Sequence, residues 1–176
     1  MAFDPIHLRV LAEKKEDENL RFRQFLKMRS DEGEVDQRVL ELARRVTERT
    51  DCTACANCCK TVRPTFSEDE IDRLAGRLAI ERQQFIDTYL EPTEPDDDNP
   101  WQTRSTPCPF LKDNRCSVYE DRPGDCRGYP YLDRPDFTSR LWGMLERTFT
   151  CPIVYEVMEE LKQQVGFRDR KRRPRR

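Results

Sequence analysis

Apolar positions recur every three or four residues through the first fifty of this chain, then give way to a stretch ruled by cysteine and proline. Residues 8–28 and 35–49 both carry helical spacing, the second through Val35, Val39, Leu42 and Val46. Each predicts a helix with a narrow apolar stripe. Ser30, Asp31 and Gly33 supply turn and N-cap chemistry between them, so the pair reads as a helical hairpin. Long charged helices with so few apolar positions serve either as a scaffold or as a surface for a protein partner.

A second pair follows the first cysteines. Ser67 is placed to cap a helix, Glu70 to return the bond and Phe66 to staple onto Ile71. Ile71, Leu74, Ala75 and Leu78 give that helix its apolar face, and Phe85, Ile86, Tyr89 and Leu90 give the next one. Residues 91–100 are acidic and hold three prolines, which predicts a loop or hinge. From there to Tyr131 only short strands and turns fit, with Asp113 and Asn114 as the turn of a small hairpin. Pro152 suits a first helical position and Gly166 a stop, predicting a last helix over residues 152–165. The fold class is therefore mainly α, with a small irregular, cysteine-rich region organised by metal. The division is an N-terminal helical extension over 1–50, a cysteine-cluster metal-binding domain over 51–166, and a basic tail over 167–176 predicted to be disordered.

Composition sharpens this picture. The 176 residues are one domain's worth, with 36% apolar and 38% charged residues, against roughly 45–50% and about 25% in an ordinary domain. The core must be thin. No stretch approaches the ~20 apolar residues of a membrane helix, and the N-terminus is too charged for a signal peptide. These features predict a cytoplasmic location without membrane association, where eight cysteines are not expected to form disulfides. Net charge is −2, but residues 168–176 hold seven basic residues and one acid, leaving the body at −8. So short a terminal charge run is read as solvated rather than as a nucleic-acid site.

The cysteines need another partner. Cys52, Cys55, Cys58 and Cys59 form one run, and Cys108, Cys116, Cys126 and Cys151 follow at wide intervals. His7 is the sole histidine and is remote in sequence from all of them, which disfavours histidine-rich zinc and iron sites. On an ideal helix the four local thiols would share an arc of roughly 120°; in a loop, C-x-x-C spacing still lets two sulfurs converge on one ion. Sulfurs about 2.3 Å from a single zinc lie roughly 3.8 Å apart, a geometry that adjacent side chains rarely reach. Cys58 and Cys59 therefore point to two neighbouring metal positions, each completed from downstream. The rival partition is one iron–sulfur cluster on four cysteines, with the others in a zinc site or uncommitted; Cys108-Pro109 and Cys151-Pro152 echo ferredoxin-type ligation in part. A C-x3-C-x2-C radical signature is absent, because position 62 is Val62. Four-thiolate centres carry negative charge, and Arg63, Arg104, Arg115, Arg122 and Arg127 stand near enough in sequence to offset it. Arg122 and Arg127 are the best placed, because they flank Cys126.

The combined pattern is specific. The run Cys52 to Cys59, then Cys108-Pro109-Phe110-Leu111, Cys116-Ser117-Val118-Tyr119, Arg122-Pro123, Cys126-Arg127, Tyr129-Pro130 and Cys151-Pro152, resembles the C-x-x-C-x-x-C-C cysteine-cluster family, often called YkgJ-like. The resemblance implies a zinc- or iron-chelating domain; some members are called iron–sulfur oxidoreductases. No serine–histidine pair, phosphate loop or nucleotide fingerprint is present, so no catalytic residue is identifiable. Asp121, Asp125 and Tyr129 are the groups that could line an open metal position. With so thin a core, the order of residues 100–151 is expected to come from bound metal.

Overall fold

The computed structural model describes residues 4–29, 31–94 and 98–169. Along them run helices α1 (Pro5–Arg29), α2 (Glu32–Glu48), α3 (Cys52–Cys55) and α4 (Asn57–Thr61), strand β1 (Thr65–Phe66), helices α5 (Glu68–Leu78) and α6 (Arg82–Tyr89), and strands β2 (Leu90–Pro92), β3 (Trp101–Thr103), β4 (Leu111–Lys112) and β5 (Arg115–Cys116). A single 3-10 turn (Tyr119–Asp121) then leads to α7 (Gly124–Gly128), α8 (Leu141–Arg147) and α9 (Pro152–Gln164). The class is the expected one, mainly helical with small antiparallel sheets around a cysteine-rich centre. The chain folds as two units. One joins the described residues up to Asp51 with those from Pro130 onward, and the other is Cys52–Tyr129. This differs from the sequence division, since the stretch after Tyr129 folds with the N-terminal helices.

In the first unit, α2 begins three residues earlier than its apolar stripe, because Asp31 caps it by accepting from the Glu34 N–H at 3.0 Å. Val35, Val39, Leu42 and Val46 are buried, and the main neighbour of α2 is α9, which brings Ile153, Val154, Val157 and Leu161. Helix α1 packs on α8 and α9. The predicted hairpin thus has its apolar stripes covered from the far end of the chain, while Ile6, Val10 and Met28 of α1 stay exposed. Pro152 stands at the start of α9, and Gly166, at φ 67°, follows its end. Phe167 then packs on Phe22 and Phe25, with ring centroids 5.1 and 5.4 Å apart. Beyond it, Asp169 accepts from Arg21 at 2.6 and 2.9 Å. Of the tail expected to be disordered over 167–176, Phe167 and Asp169 are thus held by packing and an ion pair, and residues 170–176 lie outside the described residues.

Helix α8 has no counterpart among the predicted elements. Its seven residues bury Leu141, Met144 and Leu145, too short a pattern to register as periodicity.

The second unit is centred on α5 and α6. The Ser67 N–H donates to the Glu70 carboxylate at 3.0 Å, the return half of the expected capping box. Ile71, Leu74, Phe85 and Leu90 form a buried cluster with Phe66, Phe110 and Val118. Phe85 and Phe110 lie parallel with centroids 5.9 Å apart. Strands order β1-β3-β2, all antiparallel, with Thr65 opposite Gln102 and Leu90 opposite Thr103. Glu91 and Pro92, expected in a loop, therefore continue β2; an edge position lets Pro92 sit in a strand without losing a needed donor. Residues 95–97 of that expected loop are outside the described residues. The hairpin β4–β5 turns through Asp113 and Asn114 as predicted. Both are left-handed, at φ 49° and 62°, the conformation a two-residue turn needs to match strand twist.

Candidate metal centre

The cysteine run is neither one helix nor a loop. Ala56 takes a left-handed conformation, φ 51° and ψ 17°, and breaks it into α3 and α4. The single 120° arc therefore does not form: Cys52 and Cys55 lie on one turn, Cys58 and Cys59 on the next. A left-handed L-residue costs about 1–2 kcal/mol, and a β-branched one more. Ala56→Val is expected to destabilise the metal-loaded protein by about 2 kcal/mol, while Ala56→Gly stays within about 1 kcal/mol of the parent. Urea unfolding of the three proteins checks both.

Backbone ties bring the distant cysteines to this knuckle. The Cys108 N–H donates to the Cys59 carbonyl at 2.7 Å. Asn114, on the hairpin turn, donates from Nδ2 to the Ala54 carbonyl at 2.6 Å, and β5 with Cys116 lies beside α3. Cys126 rides on α7, whose start is held by two carboxylates. Glu70 accepts from the Gly124 N–H at 2.6 Å, and Asp125 accepts from the Thr65 N–H at 2.9 Å. Glu70 thus fastens the first turns of both α5 and α7. Asp125 has a positioning role here, and Asp121 pairs with Arg77 at 3.3 Å.

None of the eight cysteines is in a disulfide. Cys58, Cys59, Cys108, Cys116 and Cys126 share one neighbourhood. Burial pushes the Cys126 thiol up, and the negative fields of Cys108, Cys59, Asp125 and Cys116 push it further. Cys108 is pushed up to about 11, first by burial and then by Cys59 and Cys116. Cys116 is raised by burial with help from Cys59, against the opposing charge of Arg122. Cys59 is instead lowered, to about 7. The hydrogen bond from Cys58 is the main cause, and its own backbone N–H, Lys60 and Arg122 add to it against burial. Cys52 is exposed and Cys55 half-buried on α3. Cys151 is buried in the other unit, at the N-cap of α9, where its N–H donates to the Arg147 carbonyl at 2.8 Å.

Among the described residues no three Cys, His, Asp or Glu side chains close on a common point as a finished ion site. The donor set nonetheless suits a thiophilic metal. Around it lie buried N–H groups without a partner: Asn57 is 2% exposed with neither side-chain polar atom hydrogen-bonded, and Arg122 Nε is likewise unpaired. Such donors fit beside metal-bound thiolate sulfur, where hydrogen bonds stabilise the charge. Arg122 also stacks on Tyr119, 3.8 Å from ring centroid to guanidinium carbon. Arg127, named with it from the sequence, turns instead to the carbonyls of Arg122 and Glu120. Arg63 and Arg104 likewise serve backbone carbonyls, those of Thr103 and Leu90. Lys60 and Asn57 escaped the sequence reading. The signal available for both was their place inside or directly after the cysteine run.

Fold and site together define a helical cysteine-cluster protein whose one thiol-rich neighbourhood is fed by a broken helix, a hairpin and a short helical turn. The family model CxxCxxCC, described as a putative zinc- or iron-chelating domain, matches residues 51–152. That is more than half of the chain, which belongs to this family. No curated protein and no solved structure gives a significant match. No helix among the described residues is long and apolar enough to cross a membrane.

Proposed function

We propose that the chain binds zinc or iron through Cys59, Cys108, Cys116 and Cys126, and that the metal organises the segments that carry them. The observation behind this is the clustering of these four thiols, tied by the Cys108 N–H to the Cys59 carbonyl at 2.7 Å. Burial first, and then the neighbouring thiols, raise Cys108, Cys116 and Cys126, while the Cys58 hydrogen bond leaves Cys59 as the readiest thiolate of the four. Metal coordination deprotonates thiols that are otherwise held neutral, which offsets the crowding of four sulfurs. Cys58, with Cys52 and Cys55 on the preceding turn, supplies thiolates for a neighbouring position. Arg122, Lys60 and the Asn57 amide offset the negative charge that the set acquires. When bound, zinc supplies structural cross-linking and an iron–sulfur cluster supplies one-electron chemistry.

The test is elemental and sulfide analysis, with an absorption spectrum, of protein purified without oxygen. A colourless protein with stoichiometric zinc assigns a structural or metal-handling role; four irons with acid-labile sulfide assign a redox role. Cys108→Ser and Cys126→Ser are expected to lower metal content to about a tenth of the parent or less. Full retention in both would overturn the ligand set. Cys151→Ser reports whether the eighth thiol takes part.

A further inference from the structure

All eight cysteines are among the described residues, and Cys52 is the one that is exposed. Thr53 and Ala54 beside it are exposed as well, and no residue of α3 is buried. Three residues apart, Cys52 and Cys55 are neighbours on the surface of this turn. The left-handed Ala56 ends α3, so the pair stands on a turn separate from the one that carries Cys58 and Cys59. A helix without a buried side chain needs a polar tie to stay in place. Asn114 supplies it through the bond from Nδ2 to the Ala54 carbonyl, and β5, which carries Cys116, packs beside α3. Cys59, Cys108, Cys116 and Cys126 are all half-buried. An accessible pair of thiols is thus fastened next to a less accessible set of four.

A site closed by sulfur needs an entry path, and thiol reactivity follows exposure. We propose that Cys52 and Cys55 are the port through which an ion is passed to and from the inner four thiols, in exchange with a thiol-bearing donor or acceptor. This rests on the ligand set proposed above and gives the neighbouring position a kinetic role. Each hand-over is a ligand substitution: one metal–sulfur bond forms as another breaks, the arriving thiol gives its proton to solvent and the departing thiolate takes one up. No oxidation state changes. Soft thiolate suits a thiophilic ion better than a carboxylate acceptor does. The same thiol chemistry comes from a small molecule such as glutathione or from a Cys-x-x-Cys segment of a partner protein.

The test uses the full reduced chain, loaded without oxygen with one equivalent of radioactive zinc. It measures the rate at which the label passes to reduced glutathione and to a Cys-Gly-Gly-Cys peptide. The double variant Cys52→Ser with Cys55→Ser should still hold the label but release it about tenfold more slowly than the parent. Asn114→Gly removes the Nδ2 donor while accepting the left-handed turn conformation, and should slow release about threefold. The direction is decisive, because thiols that only braced the site would, once removed, let the ion leave faster. Unchanged release in the double variant, or faster release in either protein, overturns the proposal. Faster transfer to the peptide at equal thiol concentration identifies a protein partner, and faster transfer to glutathione a small thiol. Cobalt(II) absorption separates this inference from the reading beneath it. A four-thiolate cobalt spectrum in the parent that is lost in the double variant makes Cys52 or Cys55 an inner ligand and overturns the port. Absence of that spectrum in the parent overturns the ligand set itself.

Discussion

Chelating the metal from the reduced protein should abolish amide-exchange protection over residues 52–61 and 104–129, while residues 4–51 and 130–169 remain protected. The elements in the first two segments do not stand alone. Helices α3, α4 and α7 have four or five residues each, and β4 and β5 have two. Isolated helices below roughly 12–15 residues and lone hairpins are marginal in water. The apolar cluster of this unit is built mainly by residues 66–90, and the cysteine segments contribute only Phe110 and Val118 to its buried members. Structural zinc in small peptides supplies about 10–16 kcal/mol, as large as the whole stability of a typical domain at about 5–15 kcal/mol. Its loss should therefore melt what the apolar cluster does not hold. Residues 130–151 were expected from the sequence to share this dependence. They instead bury Phe137, Leu141 and Met144 in the unit built with the N-terminal helices, and so should survive chelation. Hydrogen exchange with mass spectrometry, before and after verified metal removal, measures both parts. Unchanged protection across 104–129 would dispose of metal as the organiser of this region.

What the sequence reveals of this fold follows the range over which each signal acts. The capping box at Ser67 and Glu70, the hairpin turn at Asp113 and Asn114, and the start of α9 at Pro152 are decided within a few residues, and each is where local chemistry puts it. The pairing of α2 with α9 is not legible, because both stripes are equally good surfaces for any apolar neighbour. The same holds for the site. Spacing and the scarcity of histidine mark the cysteines as thiolate ligands, but an ideal helix is the wrong ruler for residues 52–59, because Ala56 takes a conformation that alanine disfavours. Nothing near Glu70 in sequence announces that its second oxygen will hold Gly124, fifty-four residues on, at the start of the turn that carries Cys126. Arg122 and Arg127 look alike from the sequence, and only their hydrogen bonds separate a cation left to face thiols from one spent on carbonyls.

Lys162→Met should destabilise the first unit by about 3–5 kcal/mol, the usual cost of removing one partner from a buried ion pair. Lys162 is 4% exposed on the apolar face of α9. Its Nζ donates to Glu18 at 2.9 Å and to Glu159, and Lys15 bonds the same two carboxylates at 3.0 Å each. Removing Lys162 strips one of two cations from a pair of carboxylates that stay partly buried. The double substitution Lys162→Met with Glu18→Leu should recover a large part of the loss, since apolar replacements remove the desolvation cost along with the attraction. The pH dependence carries a second signature. Burial alone would raise the Glu18 carboxyl, but hydrogen bonds from Lys162 and Lys15, and their charges, hold it below the usual carboxylate range. A depressed acid contributes stability that is complete above its unfolded value, about 4.3, and is lost as pH falls through the lower folded value. Lys15 acts in the opposite sense. Burial lowers its ammonium, yet the hydrogen bonds it donates to Glu18 and Glu159, and their charges, raise it on balance, so its contribution is complete below about 10.4 and fades as pH climbs above that. Unfolding by urea between pH 3 and 7 should show the parent losing stability on the acid side, and Lys162→Met losing less of it. A loss below about 1 kcal/mol at pH 7, with an acid limb like the parent's, would mean that these charges are solvated rather than coupled.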